Sequence, residues 1–492
     1  MTETTNVAIA SESPYTVDAG RQLAEMGGNA VDIALGCALA ATVSEALMCS
    51  LGGSAFINIK LPGEDPELID GADVMPHIPE ADLNSGEKAW KAANIPYGDG
   101  ITINVGHASV AVPGMLRALE LAWQRHGSLT WREILVPAIA LAKYGTTANQ
   151  TLVSWLGMAG HAVFFEQRES RETFFPDGVT PLQHGEFYKP PHLDSSLELI
   201  AREGADALYR GDLGKAFSEE ITGNNGYVTM DDLAAYQAQV RKPIVLASHG
   251  YRLALNPPPA IGGAMVGSMV RMYDALWSGG MSGAERTLAI ARIQRTMFSL
   301  RHQEGSADWS DERAAMILEK PWIERFYHKT FSPNTMHVSV ATGDGTVVAI
   351  TMSNGYGSGI SIPGTGIPTN NSLGEPELNP AGYFRIPPWR PAGVEHVPYR
   401  GMERQRHGPG HGITRSQPHH HYHTAGLDTA RFREHELRRH GARAAAARGE
   451  HRRRLCSAVR TGHRCEPVRR ALQAARLRGA RYVLRGAECR GQ

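Results

Sequence analysis

The sequence predicts a layered α/β protein, and three observations support that fold class. Short apolar or alternating runs typical of strands, at residues 7–10 and 56–60, are separated by longer amphipathic runs typical of helices. Two β-branched runs flank Asp344-Gly345, which predicts a β-hairpin that begins near residue 335. The long predicted helices cluster before this hairpin. Helices that cover a sheet allow both kinds of element to bury their apolar faces.

The N-terminal elements follow from apolar patterning and glycine positions. A strand at residues 7–10 leads into an amphipathic helix at about 16–26, which Gly27-Gly28 ends. A second, mostly apolar helix begins there and reaches about Cys49. Gly52-Gly53 then connects it to the next strand. These two glycines predict either a close approach of the backbone to a ligand or a tight helix-to-strand turn.

The rest of the chain before the hairpin reads as helices joined by loops. Thr229 precedes an acidic first turn and predicts a capped helix start. In chain order, the other predicted elements are a helix after Val112-Pro113-Gly114, largely helical residues 185–240, a proline-rich loop at 256–263 that enters a long helix, a helix at 284–304 and a polar connector at 305–334. After the hairpin, residues 354–366 are rich in glycine but lack the Gly-Lys-Ser/Thr ending of a phosphate-binding loop.

Composition narrows the class of protein. At 492 residues the chain is long enough for two to three domains or one large sandwich. A hydrophobic fraction of 42% with 20% charged residues is typical of soluble globular proteins. The longest apolar run, residues 34–49, is interrupted by Ser44 and Glu45, so no transmembrane helix is predicted. The N-terminus shows no signal-peptide pattern, and a cytoplasmic location is expected. Five cysteines without paired spacing predict neither a disulfide framework nor a zinc site.

The net charge of zero conceals a change of composition near residue 390. Residues 391–492 contain 22 Arg, no Lys, one Asp and seven Glu, a net charge of +14 that the remainder balances with −14. The same segment holds three of the five cysteines and the histidine cluster at residues 419–423. A metal site and a nucleic-acid-binding tail are the functional interpretations of these features.

Thr335 stands at the head of the first strand of the predicted hairpin. A threonine hydroxyl is a weak nucleophile until a base removes its proton. If the chain is cut before Thr335, the new α-amine lies on the same residue and can act as that base. The alternative is that Thr335 is an ordinary strand residue, and the hairpin pattern alone does not separate the two.

Several motifs occur in one order along residues 6–388. They are Gly27-Gly28-Asn29-Ala30-Val31-Asp32, Leu51-Gly52-Gly53 with Phe56, Val112-Pro113-Gly114, Pro137-Ala138-Ile139, Pro257-Pro258-Pro259 with Gly262-Gly263, and Thr335 with His337. Together they resemble the γ-glutamyltransferase (glutathione hydrolase) family of N-terminal-nucleophile hydrolases. The resemblance implies a four-layer αββα sandwich. It also implies a large-subunit region at 1–334, the start of a small-subunit region at 335–389, and a separate tail at 390–492.

The resemblance further implies a proenzyme that cleaves itself between Asn334 and Thr335. Thr335 would then attack an amide, form an acyl-enzyme and pass the acyl group to water or an amine. Ser353 matches a hydroxyl near the nucleophile, while Asn354 and Glu375 match positions that hold the substrate's α-carboxylate and α-amine. The expected partners are a small amide or peptide substrate and an acceptor, and the two fragments are expected to stay associated. No metal, organic cofactor, nucleic acid or membrane is implied.

Two departures from the family pattern affect the expected activity. The family carries an arginine for the γ-glutamyl α-carboxylate at the position of Ala72, and alanine cannot replace a bidentate guanidinium. This favours a related amidohydrolase or acylase that takes another acyl group. Met336 stands where the family has a second threonine, which is a milder change.

The tail lacks the Ser-Ser-Met-Ser-Pro-Thr and Gly-Ser-Pro-Gly segments of the family's small subunit. Codons for residues 393–400 and 412–423 permit both segments after a shift of one nucleotide. The hypothesis is a frameshift near Trp389, which makes the basic tail out of frame, without apolar periodicity and disordered. An inactive, uncleaved relative and a basic nucleic-acid binder are the alternative functions. A sequencing read that confirms the present frame through codons 385–425 would exclude the frameshift.

Overall fold

The computed structural model describes residues 6–83, 88–97, 100–258, 260–277, 279–303, 335–379, 382–384 and 403–404. The helices are α1 Pro14–Glu25, α2 Ala30–Ser44, α3 Glu80–Leu83, α4 Met115–His126, α5 Trp131–Tyr144, α6 Gln150–Ala159, α7 Arg168–Phe174, α8 Leu193–Glu203, α9 Asp206–Tyr209, α10 Asp212–Gly223, α11 Met230–Ala235, α12 Ile261–Leu276 and α13 Gly283–Gln303. The strands are β1 Val7–Ala10, β2 Ser54–Lys60, β3 Glu67–Gly71, β4 Lys91–Ile95, β5 Ile101–Val105, β6 Thr146–Thr147, β7 Phe187–Tyr188, β8 Gln239–Arg241, β9 Ile244–Ser248, β10 Tyr251–Leu255, β11 Met336–Thr342, β12 Val347–Ser353, β13 Ser361–Ile362, β14 Ile367–Pro368 and β15 Glu403–Arg404.

A six-stranded antiparallel sheet, in the order β1-β11-β12-β2-β3-β8, forms the centre of the molecule. Side chains alternate between its two faces because successive residues of a strand point in opposite directions. One face carries residues such as Val338, Ile350 and Ile57, which join the main hydrophobic core. Helix α2 packs on this face, and all of its 15 residues are buried. An apolar surface on every side is therefore what α2 requires.

The opposite face of the sheet meets a second group of strands. Phe56 and Leu68 pack there against Ala260, and the Asn58 Nδ2 donates to Asn256 Oδ1 at 3.0 Å. Asn256 directly follows β10, which pairs with β9 and β15 in a separate antiparallel sheet. Helix α12 covers the far side of β9 and β10. The layers therefore run helix, sheet, sheet, helix, as expected for an αββα sandwich.

The predicted hairpin is confirmed as β11 and β12, paired from Met336 with Met352 to Ala341 with Val347. Asp344 Oδ1 accepts from the backbone N–H of Thr346, and Gly345 has a φ of 94° that favours glycine. The capped start is confirmed as well, since Thr229 accepts from the Asp232 N–H at the head of α11.

The second helix ends earlier than its apolar pattern predicts. Helix α2 stops at Ser44, and Glu45 leaves the helical conformation with φ −126° and ψ 39°. The chain then turns, because the N–H of Met48 bonds to the carbonyl of Glu45. The apolar run does not reveal where the helix ends, because residues 45–49 stay buried although they lie beyond α2.

The described ranges bear on the expectations about membrane helices, metal sites and cysteines. None of the helices there is long and apolar enough to cross a membrane. Those ranges contain no group of three or more His, Cys, Asp or Glu side chains arranged to hold a metal ion. Cys37 and Cys49 are free and buried. The cleavage residue Asn334, the histidine cluster at 419–423 and the predicted disorder of the tail lie outside the described residues.

Candidate active site

Thr335 is half-buried and directly precedes β11 at one end of the six-stranded sheet. Extending the antiparallel register by one residue places Thr335 opposite Ser353. Ser353 pairs with Ser54 on its other side, and Ser54 in turn stands opposite Ala72 by the same extension. Directly opposed residues project from the same face. We call these four residues the site row, and its face is the one that meets the second sheet.

Ser353 and Asn354 connect the site row to the loop that follows β12. The Ser353 hydroxyl accepts a hydrogen bond from the Gly355 N–H at 3.0 Å. Asn354 is completely buried; its Oδ1 accepts from the Ser50 hydroxyl at 3.0 Å, and its Nδ2 donates to the Thr369 carbonyl at 3.1 Å. The Asn354 amide therefore holds together two loops of the protein. The substrate-binding role expected of Asn354 stays a prediction.

Gly52 and Gly53 approach the protein's own backbone. A Cβ atom on Gly53 would lie 2.3 Å from the Ser353 carbonyl oxygen, and one on Gly52 would lie 2.5 Å from the Pro368 carbonyl oxygen. The Gly53 carbonyl also accepts from the N–H of Gly114 and of Met115, at 3.0 and 2.9 Å. The Gly53 N–H donates to the Ser50 carbonyl at 3.0 Å, so the predicted turn into β2 is present, and the close approach of these glycines is to the chain's own backbone. Glycine here lets the start of β2 lie against the end of β12.

Replacing Gly53 by alanine is expected to destabilise the protein, because the new methyl group meets a backbone carbonyl rather than a flexible side chain. We expect a loss of about 2–4 kcal/mol in the free energy of unfolding, measured by denaturant titration. The matched control is Gly157→Ala in α6, where a Cβ would meet nothing within 4 Å. That control should change stability by less than about 1 kcal/mol, in the stabilising direction. Equal stability of the two variants would contradict this account.

Glu375 is buried beneath the loop after β12. Its Oε1 accepts from the Tyr356 N–H at 3.1 Å, and Asn371 Oδ1 accepts from the same N–H at 2.8 Å. Burial raises the pKa of Glu375 well above its usual range, and the neighbouring Glu377 raises it further. Gly355, with φ 59°, permits this packing, because a Cβ there would lie 1.8 Å from Glu375 Oε1. Burial at position 375 therefore disfavours the charged form of the carboxyl.

Asp73 is an acidic residue of the site that the sequence analysis did not single out. It is 2% exposed, and its Oδ2 accepts from the Ser372 hydroxyl at 2.8 Å. Its Oδ1 is buried without a hydrogen-bond partner. Burial raises the pKa of Asp73 well above its usual range, although Ser372 and the Gly114 N–H oppose the shift. The sequence pointed to Asp73 only through its position directly after Ala72. Its contact with Ser372 could not be predicted, because the two residues are 299 positions apart in the sequence.

Ala72, at the end of the site row, lies in a buried apolar cluster with Phe56, Leu68 and Ala260. Nearby, Asp70 forms an ion pair with Arg241 at 2.6 Å. Burial raises the pKa of Asp70, and the Arg241 charge opposes that shift. Arg241 is thus already paired, and an arginine at position 72 would have to displace packed side chains.

His337 lies on the same face of the sheet as Thr335, two residues further along β11. Its Nδ1 is 2.8 Å from the Thr351 hydroxyl on β12, and its Nε2 is 2.9 Å from the Ser339 hydroxyl on β11. Two hydroxyl groups can serve a neutral imidazole as one donor and one acceptor. The ring therefore links the two strands of the hairpin two residues beyond Thr335.

Comparison with known proteins places these features in a wider group. A family model described as gamma-glutamyltranspeptidase matches residues 16–391, and the match ends where the arginine-rich composition begins. The Acylase ACY 1 proenzyme of Pseudomonas sp. (strain SE83) is 28% identical over 422 residues, covering 81% of this chain and 74% of that protein. The Glutathione hydrolase proenzyme of Escherichia coli (strain K12) is 26% identical, covering 76% of this chain and 67% of that protein.

Solved structures agree with the layered architecture. A cephalosporin acylase from Bacillus halodurans superposes with a TM-score of 0.62 at 23% identity, covering 82% of this chain and 75% of that chain. A gamma-glutamyltranspeptidase from Pseudomonas nitroreducens superposes with a TM-score of 0.55 at 24% identity, covering 66% and 96%. At these identities the likeness concerns the fold, which is that of the N-terminal-nucleophile hydrolases.

Proposed function

Because the chain belongs to the gamma-glutamyltranspeptidase family of amide hydrolases and transferases, we propose that its nucleophile is Thr335, freed by self-cleavage after Asn334. The observation that carries the proposal is the position of Thr335 at the head of β11, opposite Ser353 and inside the matched range. The register gives the residue a hydroxyl neighbour on the same face of the sheet.

The chemistry needs only groups of the chain and its substrates. After cleavage, the Thr335 α-amine takes the proton from its own hydroxyl while the oxygen attacks the substrate's amide carbon. The proton passes to the departing amine nitrogen as the C–N bond breaks, which leaves an acyl ester on Thr335. Water or an acceptor amine then attacks the ester, and its proton returns to the threonine oxygen by way of the α-amine.

The acyl donor we propose is not a γ-glutamyl group. Ala72 is packed against Phe56 and Leu68, so position 72 itself offers no cation to an α-carboxylate. Relatives bear the names acylase and glutathione hydrolase, and this packing favours the acylase-like alternative. Glutathione hydrolysis is the second candidate, which membership of the family keeps open.

Cleavage is the direct test of the proposal. Purified wild-type protein should give two bands on a denaturing gel, and N-terminal sequencing of the smaller fragment should begin at Thr335-Met336-His337. A single band after prolonged incubation would contradict the proposal and favour an inactive, uncleaved relative with an out-of-frame tail. Sequencing the gene across codon 389 on the same preparation identifies which tail is present.

A further inference from the structure

Glu45, which directly follows α2, is connected to the candidate active site by backbone hydrogen bonds. Its carbonyl accepts from the N–H of Met48 at 2.8 Å and of Cys49 at 3.2 Å, which closes a turn. The Met48 carbonyl in turn accepts from the Asn354 N–H at 3.3 Å. Two hydrogen-bonded steps therefore lead from the backbone of Glu45 to the residue that follows Ser353.

The same stretch of chain also contacts Asn354 and Ser353 further along. Asn354 Oδ1 accepts from the Ser50 hydroxyl at 3.0 Å, and the Ser50 carbonyl accepts from the Gly53 N–H at 3.0 Å. Gly53 lies against the Ser353 carbonyl oxygen, which a Cβ at this position would approach to 2.3 Å. We call residues 45–53 the support turn. A shift of the support turn displaces the end of β12 that carries Ser353.

The Glu45 side chain is completely buried among acidic groups. Its Oε1 accepts from Asn149 Nδ2, and its Oε2 has no hydrogen-bond partner. The titratable groups that interact with it in the described part of the chain are Glu12 after β1, Cys49 in the support turn and Tyr188 on β7. Glu45 has no ion pair there, so a negative charge on this side chain is costly.

The protonation state of Glu45 therefore changes close to neutral pH. Burial is the largest effect and raises the pKa of Glu45 to about 8; the hydrogen bond from Asn149 opposes the shift, and the charge of Glu12 adds to it. Below about pH 8 the folded protein holds the neutral form. Above it, the buried anion is stabilised by opening of the support turn to water, which breaks the hydrogen bonds to Asn354.

We propose that Glu45 is a positioning residue for the active site, whose neutral form keeps the support turn closed against Asn354 and whose ionisation opens the turn and lowers turnover. The inference rests on the proposed function and adds a requirement to it. The Thr335 α-amine must lose its proton to act as a base, whereas Glu45 must keep its proton. Turnover should therefore rise and then fall as the pH increases.

The pH dependence of kcat/KM tests this role, with butyryl- and γ-glutamyl-p-nitroanilide as probes of the two candidate functions. For the wild type, kcat/KM should fall at least about tenfold between pH 8 and pH 9.5, since Glu45 ionises over that range. Glu45→Gln keeps an acceptor for Asn149 and cannot ionise, so the fall should be absent. The matched control is Glu12→Gln, which removes a neighbouring carboxylate and leaves Glu45 ionisable. Its fall should remain and begin at lower pH, because the repulsion from Glu12 is gone. An equal fall in Glu45→Gln would overturn the inference.

Hydrogen exchange on the Thr335→Ala protein separates this inference from the catalytic proposal, because it requires neither cleavage nor turnover. The protection of the Met48, Cys49 and Asn354 amides should fall at least about tenfold between pH 6 and pH 8, since the open turn returns the pKa of Glu45 from about 8 to its usual 4.5. Adding Glu45→Gln should leave that protection nearly constant. This result supports the inference even if the wild type hydrolyses neither probe. An equal fall in both proteins, or a fall at the turn without one at Asn354, overturns it even if cleavage and hydrolysis are observed.

Discussion

Replacing Thr335 by alanine is expected to abolish self-cleavage and to lower amide turnover at least about a thousandfold. The side chain is the proposed attacking group in both reactions, and alanine leaves the α-amine with no hydroxyl to activate. Thr335 precedes β11 and is half-buried, so removing its hydroxyl and methyl groups should leave the sheet intact. The measurements are the band pattern on a denaturing gel, the initial rate of hydrolysis of an acyl p-nitroanilide, and the melting temperature.

The matched control is Thr335→Ser, which keeps a hydroxyl beside the future α-amine and removes only the methyl group. We expect this variant to cleave and to turn over substrate more slowly than wild type, well above the alanine variant. Cleavage of Thr335→Ala at the wild-type rate would assign the nucleophile elsewhere. A melting temperature of Thr335→Ala far below that of the wild type would instead assign the residue a structural role.

Replacing Glu45 by glutamine is expected to raise stability above neutral pH. Glu45 is completely buried, its Oε1 accepts from Asn149 Nδ2 at 2.5 Å, and its Oε2 has no hydrogen-bond partner. Burial raises the pKa of Glu45 to about 8 from 4.5, against the opposing hydrogen bond from Asn149. The folded protein therefore keeps a proton that the unfolded chain releases, so the free energy of unfolding falls as the pH rises from about 4.5 to about 8. At about 1.4 kcal/mol for each pH unit, the total loss is roughly 4–5 kcal/mol.

Denaturant titrations of wild type and Glu45→Gln between pH 5 and pH 9 test this effect. The glutamine variant should lose less stability over that range, because its amide does not ionise. The profile should keep some slope, since burial also raises the pKa values of Asp73 and Glu375. The exposed Glu198→Gln on α8 serves as the control and should follow the wild-type profile. Parallel profiles for wild type and Glu45→Gln would show that Glu45 is ionised in the folded protein.

Features set by neighbouring residues were predicted well. The Asp344-Gly345 turn lies between two β-branched runs, and the observed hairpin has its loop there. Thr229 and Asp232 cap α11 in both directions through contacts only three residues apart. Such contacts depend on local backbone geometry, which a short stretch of sequence specifies.

Features set by distant residues were missed. The end of α2 at Ser44 is invisible in an apolar run that stays buried beyond the helix. The contact of Asp73 with Ser372 joins residues that are 299 positions apart in the sequence. From the sequence, position 72 was notable only because it lacks the family's arginine. The structure shows that Ala72 is buried there against Phe56.

The sequence by itself determined the family, the hairpin and the residue expected to act as nucleophile, because these depend on ordered motifs and on contacts between near neighbours. Only the tertiary structure decided what surrounds Thr335. The register of the sheet aligns Thr335, Ser353, Ser54 and Ala72 in the site row, and the packing of the loops buries Asp73 with Glu375 beside it. The physical reason is that burial and charge balance are sums over residues far apart in sequence, and folding alone brings those residues together.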